Sequence, residues 1–386
     1  MRVLHINCNY VSSALHRTMI QHLDALGVEN TVFAPIHSQA EAAQFGATAN
    51  ELVSVCFSKW DRLFFFYKQG KIRRAAEGEA FAGGRRYDCL HAYTLFTDGV
   101  CARALARRHG LPYVVAVRNT DVNAFFRYKP YLRGLGVRVM RDAAAVLFLS
   151  DAYRARVLER YVPARDRAAI ARKALVVPNG IDDFWLDNPW PERDLAAGQA
   201  RLDSRTLNTV CVGRIDRNKN IPTVQRALAL LRDEGWTTRL TVIGRNADAA
   251  EFAEIARDPC TTCLDPMDKE HLIHEYRRND LFLLASRAES FGLVYAEAMS
   301  QGLPVLYTRG QGFDGQFPEG QAGWPVDADD PAGIAAAVKR VAADYTALAG
   351  RCPALAADRF RWADICRQYA ALYREAVAGA RSAANK

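Results

Sequence analysis

Short apolar runs alternate along the chain with longer segments whose apolar residues recur at helical intervals. That alternation predicts strands of a parallel sheet joined by crossover helices. In the first half, strands are predicted over Val3–Asn7, Thr31–Pro35, a run ending at Tyr87–His91, Pro112–Val117, Val146–Ser150 and Ala174–Val177. Helices are predicted over Ser13–Leu26 and Asp98–His109, stopped by Gly27 and Gly110, since glycine accepts the left-handed cap. The alternation pauses at Pro178-Asn179-Gly180-Ile181-Asp182, a dense cluster of turn formers. It resumes with a strand over Thr209–Gly213, a helix over Pro222–Glu234, a strand over Arg239–Gly244 and a helix over Lys269–Arg278; later helices are predicted over Ala332–Ala347 and Trp362–Ala378. The pattern reads as two doubly wound α/β units in tandem, hinged near residue 180. Ligands of such sheets bind at the carboxyl ends of the strands, and two facing sheets leave a cleft.

The stretch Leu281–Tyr307 carries most of the chemistry. Leu281–Ala285 is a short apolar strand, Ser286–Phe291 a polar loop, and a helix is predicted from about Gly292 to Gln301, ended by Gly302 and Pro304. Glu289 stands in the loop and Glu297 in the helix. They lie beside a helix N-terminus, whose amides and dipole favour a phosphate. If helical rise ran throughout, the two acids would be separated by about 12 Å along the axis, the reach of a sugar–diphosphate–ribose unit. A second loop, Gly213-Arg214-Ile215-Asp216-Arg217-Asn218-Lys219-Asn220, follows one strand and precedes a helix. Gly213 permits close backbone approach, and Arg214 with Lys219 can neutralise a diphosphate without a metal.

Charge divides the chain. Residues 1–180 hold 26 Lys and Arg against 14 Asp and Glu, a net +12, while the remainder holds 25 against 29, a net −4. The basic half calls for an anionic partner. The segment Trp60–Arg74 mixes Trp60, three phenylalanines and Tyr67 with Arg62, Lys68, Lys71, Arg73 and Arg74, and Phe125-Phe126-Arg127-Tyr128-Lys129 and Tyr131-Leu132-Arg133 repeat the mixture. Aromatics with cationic flanks suit an anionic membrane surface; a helix with one core face and one solvated basic face is the plainer reading. No nucleic acid is expected, because no recognition motif accompanies the charge. Nine scattered cysteines, an odd number, suit a reducing compartment. The short apolar start Met1–Cys8 is too brief for a signal peptide, and no run approaches the roughly 20 residues of a membrane span. The expected location is therefore the cytoplasm, or the inner face of the plasma membrane as a peripheral protein. Asp327-Ala328-Asp329 is read as helix-capping acids rather than a metal site, and Cys260 with Cys263 as structural thiols.

Gly213-Arg214, Lys219-Asn220, Glu289-Ser290-Phe291-Gly292-Leu293, Glu297-Ala298 and Gly302-Leu303-Pro304-Val305 together resemble the donor domain of glycosyltransferase family 4. Val177–Asp182 resembles that family's interdomain segment, and Phe360-Arg361-Trp362 with Tyr369 and Tyr373 resembles its terminal helix. The resemblance implies the GT-B architecture, two Rossmann-like domains facing across a cleft: an acceptor domain over 1–178, a nucleotide-sugar donor domain over 179–357, and a helix over 358–386 crossing back to the first. It implies transfer from a nucleoside-diphosphate sugar with retention of anomeric configuration, in assembly of a cell-surface glycan, exopolysaccharide or glycolipid, with no cofactor and no metal. Glu289 would contact the transferred sugar, Glu297 the ribose, and Arg214 and Lys219 the diphosphate, aided by amides at Ser290, Phe291, Gly292 and Leu293. Base contacts are expected around Arg245 and Leu264–Met267.

The chain departs from the family at three places. Asn9-Tyr10-Val11-Ser12-Ser13 replaces a Gly-Gly loop, with Ser12 and Ser13 left to offer donors to the diphosphate. Arg118-Asn119-Thr120-Asp121 replaces His-Gly-x-Asp, keeping Asp121 as a catalytic acid but putting Arg118 where sugar positioning is expected. Gly244-Arg245-Asn246 lacks a second glycine. His91, at a strand end, is placed with Arg118 as a positioning residue. The competing readings are an epimerase or phosphorylase of the same fold, and a catalytically silent partner subunit that keeps the fold as a scaffold.

Overall fold

The computed structural model describes residues 1–190 and 193–384. The chain forms two compact units. One comprises residues 1–149, 153–177 and the C-terminal segment from Trp362; the other comprises 150–152 and 178–361.

The first unit is built on seven strands: β1 (Arg2–Ile6), β2 (Glu29–Ile36), β3 (Glu51–Val55), β4 (Cys89–Ala92), β5 (Tyr113–Val117), β6 (Ala145–Phe148) and β7 (Ala174–Val176). They are all parallel, in the order β3-β2-β1-β4-β5-β6-β7. Successive side chains of a strand face opposite ways, and here both faces are covered. Leu4, Ile6, Leu90, Val115, Val117 and Phe148 enter one core, and Val3, Cys89, Val114, Ala116 and Leu147 the other. That double burial is why these strands read as unbroken apolar runs. Helices Phe65–Ala80, Thr97–His109 and Arg133–Asp142 cover the first core. Helix Ala14–Ala25 and the C-terminal helix Trp362–Ala384 cover the second, the latter through Trp362, Ile365, Tyr369 and Tyr373.

The second unit repeats the scheme with β8 (Thr206–Val212), β9 (Thr237–Ile243), β10 (Thr261–Leu264), β11 (Leu281–Leu284), β12 (Val305–Thr308) and β13 (Gly323–Val326). All are parallel, in the order β10-β9-β8-β11-β12-β13. In each sheet one central pair joins strands not consecutive in sequence: β1 beside β4, and β8 beside β11. At such a switch point the loops leaving the two strands diverge and open a crevice.

Several sequence-based expectations change. The edge strands β3, β10 and β13 were not anticipated. Cys263 lies on β10, with Cys260 just before it. The helix expected over Ala332–Ala347 is two, Pro331–Ala343 and Tyr345–Phe360, divided at Asp344. The chain returns to the first unit at Trp362 rather than 358. Of the acids near 327, Asp330 is the helix cap, accepting from the Gly333 amide; Asp329 pairs with Arg287 at 2.7 Å and Asp327 with Arg309 at 3.7 Å. No helix among the described residues is long and apolar enough to cross a membrane.

Candidate functional site

The switch point of the second sheet gathers the residues expected to bind a donor. Gly213–Asn220 leaves β8 and Ser286–Gly292 leaves β11, and side-chain amides lock the two loops together. Asn218 donates from Nδ2 to the Ala288 carbonyl at 2.9 Å and accepts the Ala288 amide on Oδ1 at 3.0 Å. Asn220 has φ 58° and donates to the carbonyls of Ala285 at 3.1 Å and Ala328 at 2.6 Å. Asp216 accepts the amides of Asn218 and Lys219 at 3.1 and 3.2 Å, closing the first loop. The result is that Lys219 Nζ meets Glu289 Oε2 at 2.7 Å, with both side chains mostly shielded from solvent. Glu289 Oε1 also accepts the Ser290 amide at 3.0 Å, and its own amide donates to Gln311 Oε1 at 3.2 Å.

Close backbone packing fixes this geometry. A Cβ on Gly244 would lie 1.9 Å from the Gly213 carbonyl oxygen, and one on Gly312 would lie 2.0 Å from the Ser290 oxygen. The helix of the predicted stretch begins at Leu293, not Gly292. Gly292 sits outside it with φ 77°, and a Cβ there would meet the Tyr295 ring at 2.5 Å. The rise assumed between Glu289 and Glu297 therefore does not apply, since Glu289 belongs to the loop. The first turn, from Leu293, marks the positive end of the helix dipole, and of its amides that of Tyr295 donates to the Gly292 carbonyl at 3.0 Å. Tyr295 Oη donates to the Leu284 carbonyl at 2.8 Å and pins this helix to β11. Phe291 turns its side chain into the core against Phe313 and Phe360, leaving only its backbone for a ligand.

Glu297 projects from the same helix toward Tyr276, whose hydroxyl donates to it at 3.4 Å. Burial pushes the Glu297 carboxyl up to about 7; the Asp182 charge adds to the rise and the Tyr276 bond opposes it. Arg214 departs from the expected aim: its guanidinium grips Asp216 at 2.7 Å. Arg245 is exposed, and its carbonyl accepts the Ile215 amide at 2.9 Å.

The other expected residues lie in the first unit, and the structure corrects several. His91 is fully buried. Its Nδ1 and the Tyr373 hydroxyl are 2.6 Å apart, its ring stacks on Tyr93, and burial holds its pKa well below the usual imidazole value. It is a core residue, not a positioning one. Asp121 is also buried, and its carboxylate takes the amides of Leu95 at 2.9 Å, Phe96 at 3.2 Å and Arg118 at 2.9 Å. Three amides on one carboxylate tie the loop after β4 to the loop after β5, so Asp121 acts as an anchor. Burial outweighs those bonds and lifts its pKa to about 6. Arg118 donates from Nε to the Tyr93 carbonyl at 3.2 Å. Ser12 bonds back to the Asn9 carbonyl at 3.1 Å, while Ser13 stands at the N-cap of Ala14–Ala25 without a side-chain cap bond.

Two family models match the chain, Glycosyltransferase Family 4 over residues 16–183 and Glycosyl transferases group 1 over residues 206–344. Together they span most of its length. The chain belongs to glycosyltransferase family 4. As a glycosyltransferase it is similar to the D-inositol 3-phosphate glycosyltransferase of Pseudarthrobacter chlorophenolicus, 28% identical over 294 residues, which cover 72% of this chain and 68% of the relative. The protein of that name from Mycolicibacterium vanbaalenii is 29% identical over 317 residues, covering 77% and 68%. Among solved structures, sucrose-phosphate synthase from Thermosynechococcus elongatus superposes with a TM-score of 0.75 at 19% identity, covering 98% of this chain and 100% of that one. HepE from Anabaena, solved with UDP, superposes at 0.67 with 16% identity, covering 96% and 98%. These likenesses establish the GT-B fold.

Sequence reasoning assigned no role to Asn218, Gln311 or Tyr276, although each holds a glutamate or its loop in place. Asn218 lay inside a recognised stretch. Tyr276 and Gln311 are brought in by other elements and carry no local signal.

Proposed function

We propose that this glycosyltransferase moves a hexose from a nucleoside-diphosphate sugar to a glycan or lipid-linked acceptor, with retention, in cell-surface glycan assembly. The Lys219–Glu289 pair at the switch point, beside a helix N-terminus, is the observation that supports this reading. A diphosphate at that helix competes for Lys219 and releases Glu289 to the sugar hydroxyls. Arg214 likewise exchanges Asp216 for phosphate, and Glu297 accepts from the ribose hydroxyls. In the reaction, the bond between the anomeric carbon and the diphosphate oxygen breaks, and its electron pair stays on that oxygen. The acceptor oxygen bonds to the same face of the carbon, and its proton passes to a leaving-phosphate oxygen. Charge grows on the diphosphate as the bond breaks, so fixed cations and helix amides stabilise the transition state more than the ground state. Two side-chain cations suffice for that charge, so this reading calls for neither metal nor cofactor.

The relatives' names make a phosphorylated polyol the first acceptor class to try. Peripheral membrane attachment is supported by the surface of the first unit. Of ten exposed large hydrophobic side chains among the described residues, Trp60, Leu63, Phe64, Phe66, Tyr67, Tyr128 and Tyr131 fall in the two aromatic–basic segments. Phe65 and Phe125, with ring centroids 6.0 Å apart, join those segments beneath. An exposed aromatic cluster with cationic neighbours suits an anionic leaflet.

Calorimetry with UDP, GDP and ADP, then with their sugars, identifies the donor. Nucleoside diphosphate release by wild type and Glu289→Gln then tests catalysis, with a loss of about a hundredfold expected in the variant. Equal background rates in both would favour the silent scaffold, and an inverted product anomer would remove retention. Flotation with anionic and neutral vesicles tests attachment; equal recovery counts against it.

A further inference from the structure

Each of the two cations expected to meet a diphosphate is held by an acid, Arg214 by Asp216 at 2.7 Å and Lys219 by Glu289 at 2.7 Å. The four side chains carry two positive and two negative charges. A diphosphate that takes both cations leaves two carboxylates beside its own charge. The surroundings of each carboxylate decide what that costs.

The two acids are not equivalent. The Arg214–Asp216 pair is open to solvent, with 59% of the arginine side chain exposed. Asp216 also accepts the amides of Asn218 and Lys219 at 3.1 and 3.2 Å, so it keeps fixed donors when Arg214 turns to phosphate. An exposed pair of this kind loses little when it parts. Lys219 and Glu289 are shielded, with 17% and 13% of their side chains exposed. Neither can retreat far. The lysine stem runs against Gly213, where a Cβ would lie 2.9 Å from Lys219 Cε. The two carboxamide bonds between Asn218 and the Ala288 backbone fix the loops that carry the pair. When Lys219 turns to a phosphate, Glu289 keeps the Ser290 amide at 3.0 Å and the Ser286 hydroxyl at 3.4 Å. It then lies, poorly screened, beside a like charge, and pays more for the lost cation than Asp216 does. The hydroxyls of a sugar on the diphosphate supply donors in place of the ammonium. A nucleoside diphosphate without its sugar supplies none there.

We propose that Glu289 discriminates the sugar-bearing nucleotide from the sugar-free product and helps to expel the product. While the donor is intact, its hydroxyls hold Glu289 and Lys219 holds the diphosphate. After transfer Glu289 reclaims Lys219, and the hold on the nucleoside diphosphate weakens. No bond to Glu289 forms; only ion-pair and hydrogen-bond partners exchange. The inference rests on the donor-site reading above. Its consequence is the reverse of that for a plain binding residue: removing the acid tightens product binding while it slows turnover. The test uses the full chain and calorimetry with UDP, GDP and ADP, then with the glucose, galactose and mannose conjugates of whichever binds. Glu289→Gln, and Glu289→Ala as a second form of the change, bind the bare diphosphate about tenfold more tightly than wild type. The tightest-binding conjugate shows no such gain in Glu289→Gln, so the preference for it over the bare nucleotide narrows about tenfold. Asp216→Asn changes both affinities by one factor. In a Lys219→Met background, adding Glu289→Gln changes diphosphate affinity by less than about threefold. Unchanged or weaker diphosphate binding in both Glu289 variants overturns the inference. So does a gain shared equally by the conjugate, kept in the Lys219→Met background, or reproduced in its selectivity by Asp216→Asn. If none of the three diphosphates binds wild type or variants, the donor reading falls and the inference with it; if one binds wild type and the Glu289 variants bind it no more tightly, the inference alone falls.

Discussion

Glu297 makes donor binding depend on pH in a way that can be calculated. Its carboxyl sits at about 7 because burial disfavours the charge. Ribose hydroxyls donate hydrogen bonds, so the bound state favours the ionised carboxylate. With a free-state value of about 7, the ionised fraction is about 0.9 at pH 8 and about 0.1 at pH 6. Donor affinity should therefore fall about tenfold between those values, roughly 1.4 kcal/mol, and binding near neutrality should release protons. The assay is calorimetry of the nucleoside diphosphate from pH 5.5 to 8.5, repeated in buffers of different ionisation enthalpy. Glu297→Gln keeps the shape and removes the titration. The ligand's own ionisation is common to both proteins, so the difference between their pH profiles isolates Glu297. The same shift has a stability sign. The folded carboxyl lies above the ordinary glutamate value of 4.5, so its contribution is full below about 4.5 and lost as pH rises through 7. Glu297→Gln should therefore gain stability relative to wild type at pH 8, by about 3 kcal/mol at most, with the gain vanishing near pH 4. Parallel pH profiles of affinity in the two proteins would refute the reasoning.

Other substitutions test the positioning of the site. Lys219→Met leaves Glu289 shielded without its cation and should lower stability by about 1–2 kcal/mol in thermal denaturation at pH 7, less than a fully buried pair would lose; an unchanged melting temperature would show that the pair contributes nothing. Asp121→Asn puts an amide group where three backbone N–H groups donate and should cost about 1–3 kcal/mol in urea unfolding, whereas wild-type stability would mean that water replaces the carboxylate. Gly244→Ala places a Cβ 1.9 Å from the Gly213 oxygen, which backbone cannot absorb without moving the loop that carries Arg214 and Lys219. Nucleoside diphosphate binding should be lost even where the protein folds, and a variant that binds normally contradicts the close approach.

The alternation of apolar runs and helical periods was enough to specify two parallel doubly wound sheets, because buried parallel strands and amphipathic helices leave different local periods. The loops at 213–220 and 286–292 were legible for a related reason: glycine, two cations and two acids lie within short stretches whose order fixes their place after a strand. The edge strands β3, β10 and β13 were not legible, since an edge is decided by which neighbour pairs with it and their local patterns are weak. The fates of individual side chains were decided by tertiary packing. His91 ends a strand, yet the terminal helix some 280 positions later supplies the Tyr373 hydroxyl beside its ring. Asp121 follows a strand end like a reactive acid, but amides from a separate loop occupy its carboxylate. Lys68 reads as one more basic residue on an aromatic helix. Only the fold brings it together with Arg62 and Lys129 at the first sheet's switch point, where none of the three forms a salt bridge among the described residues. Sequence period sets which way a backbone runs and which face is apolar; a side chain's partner depends on residues distant in the chain.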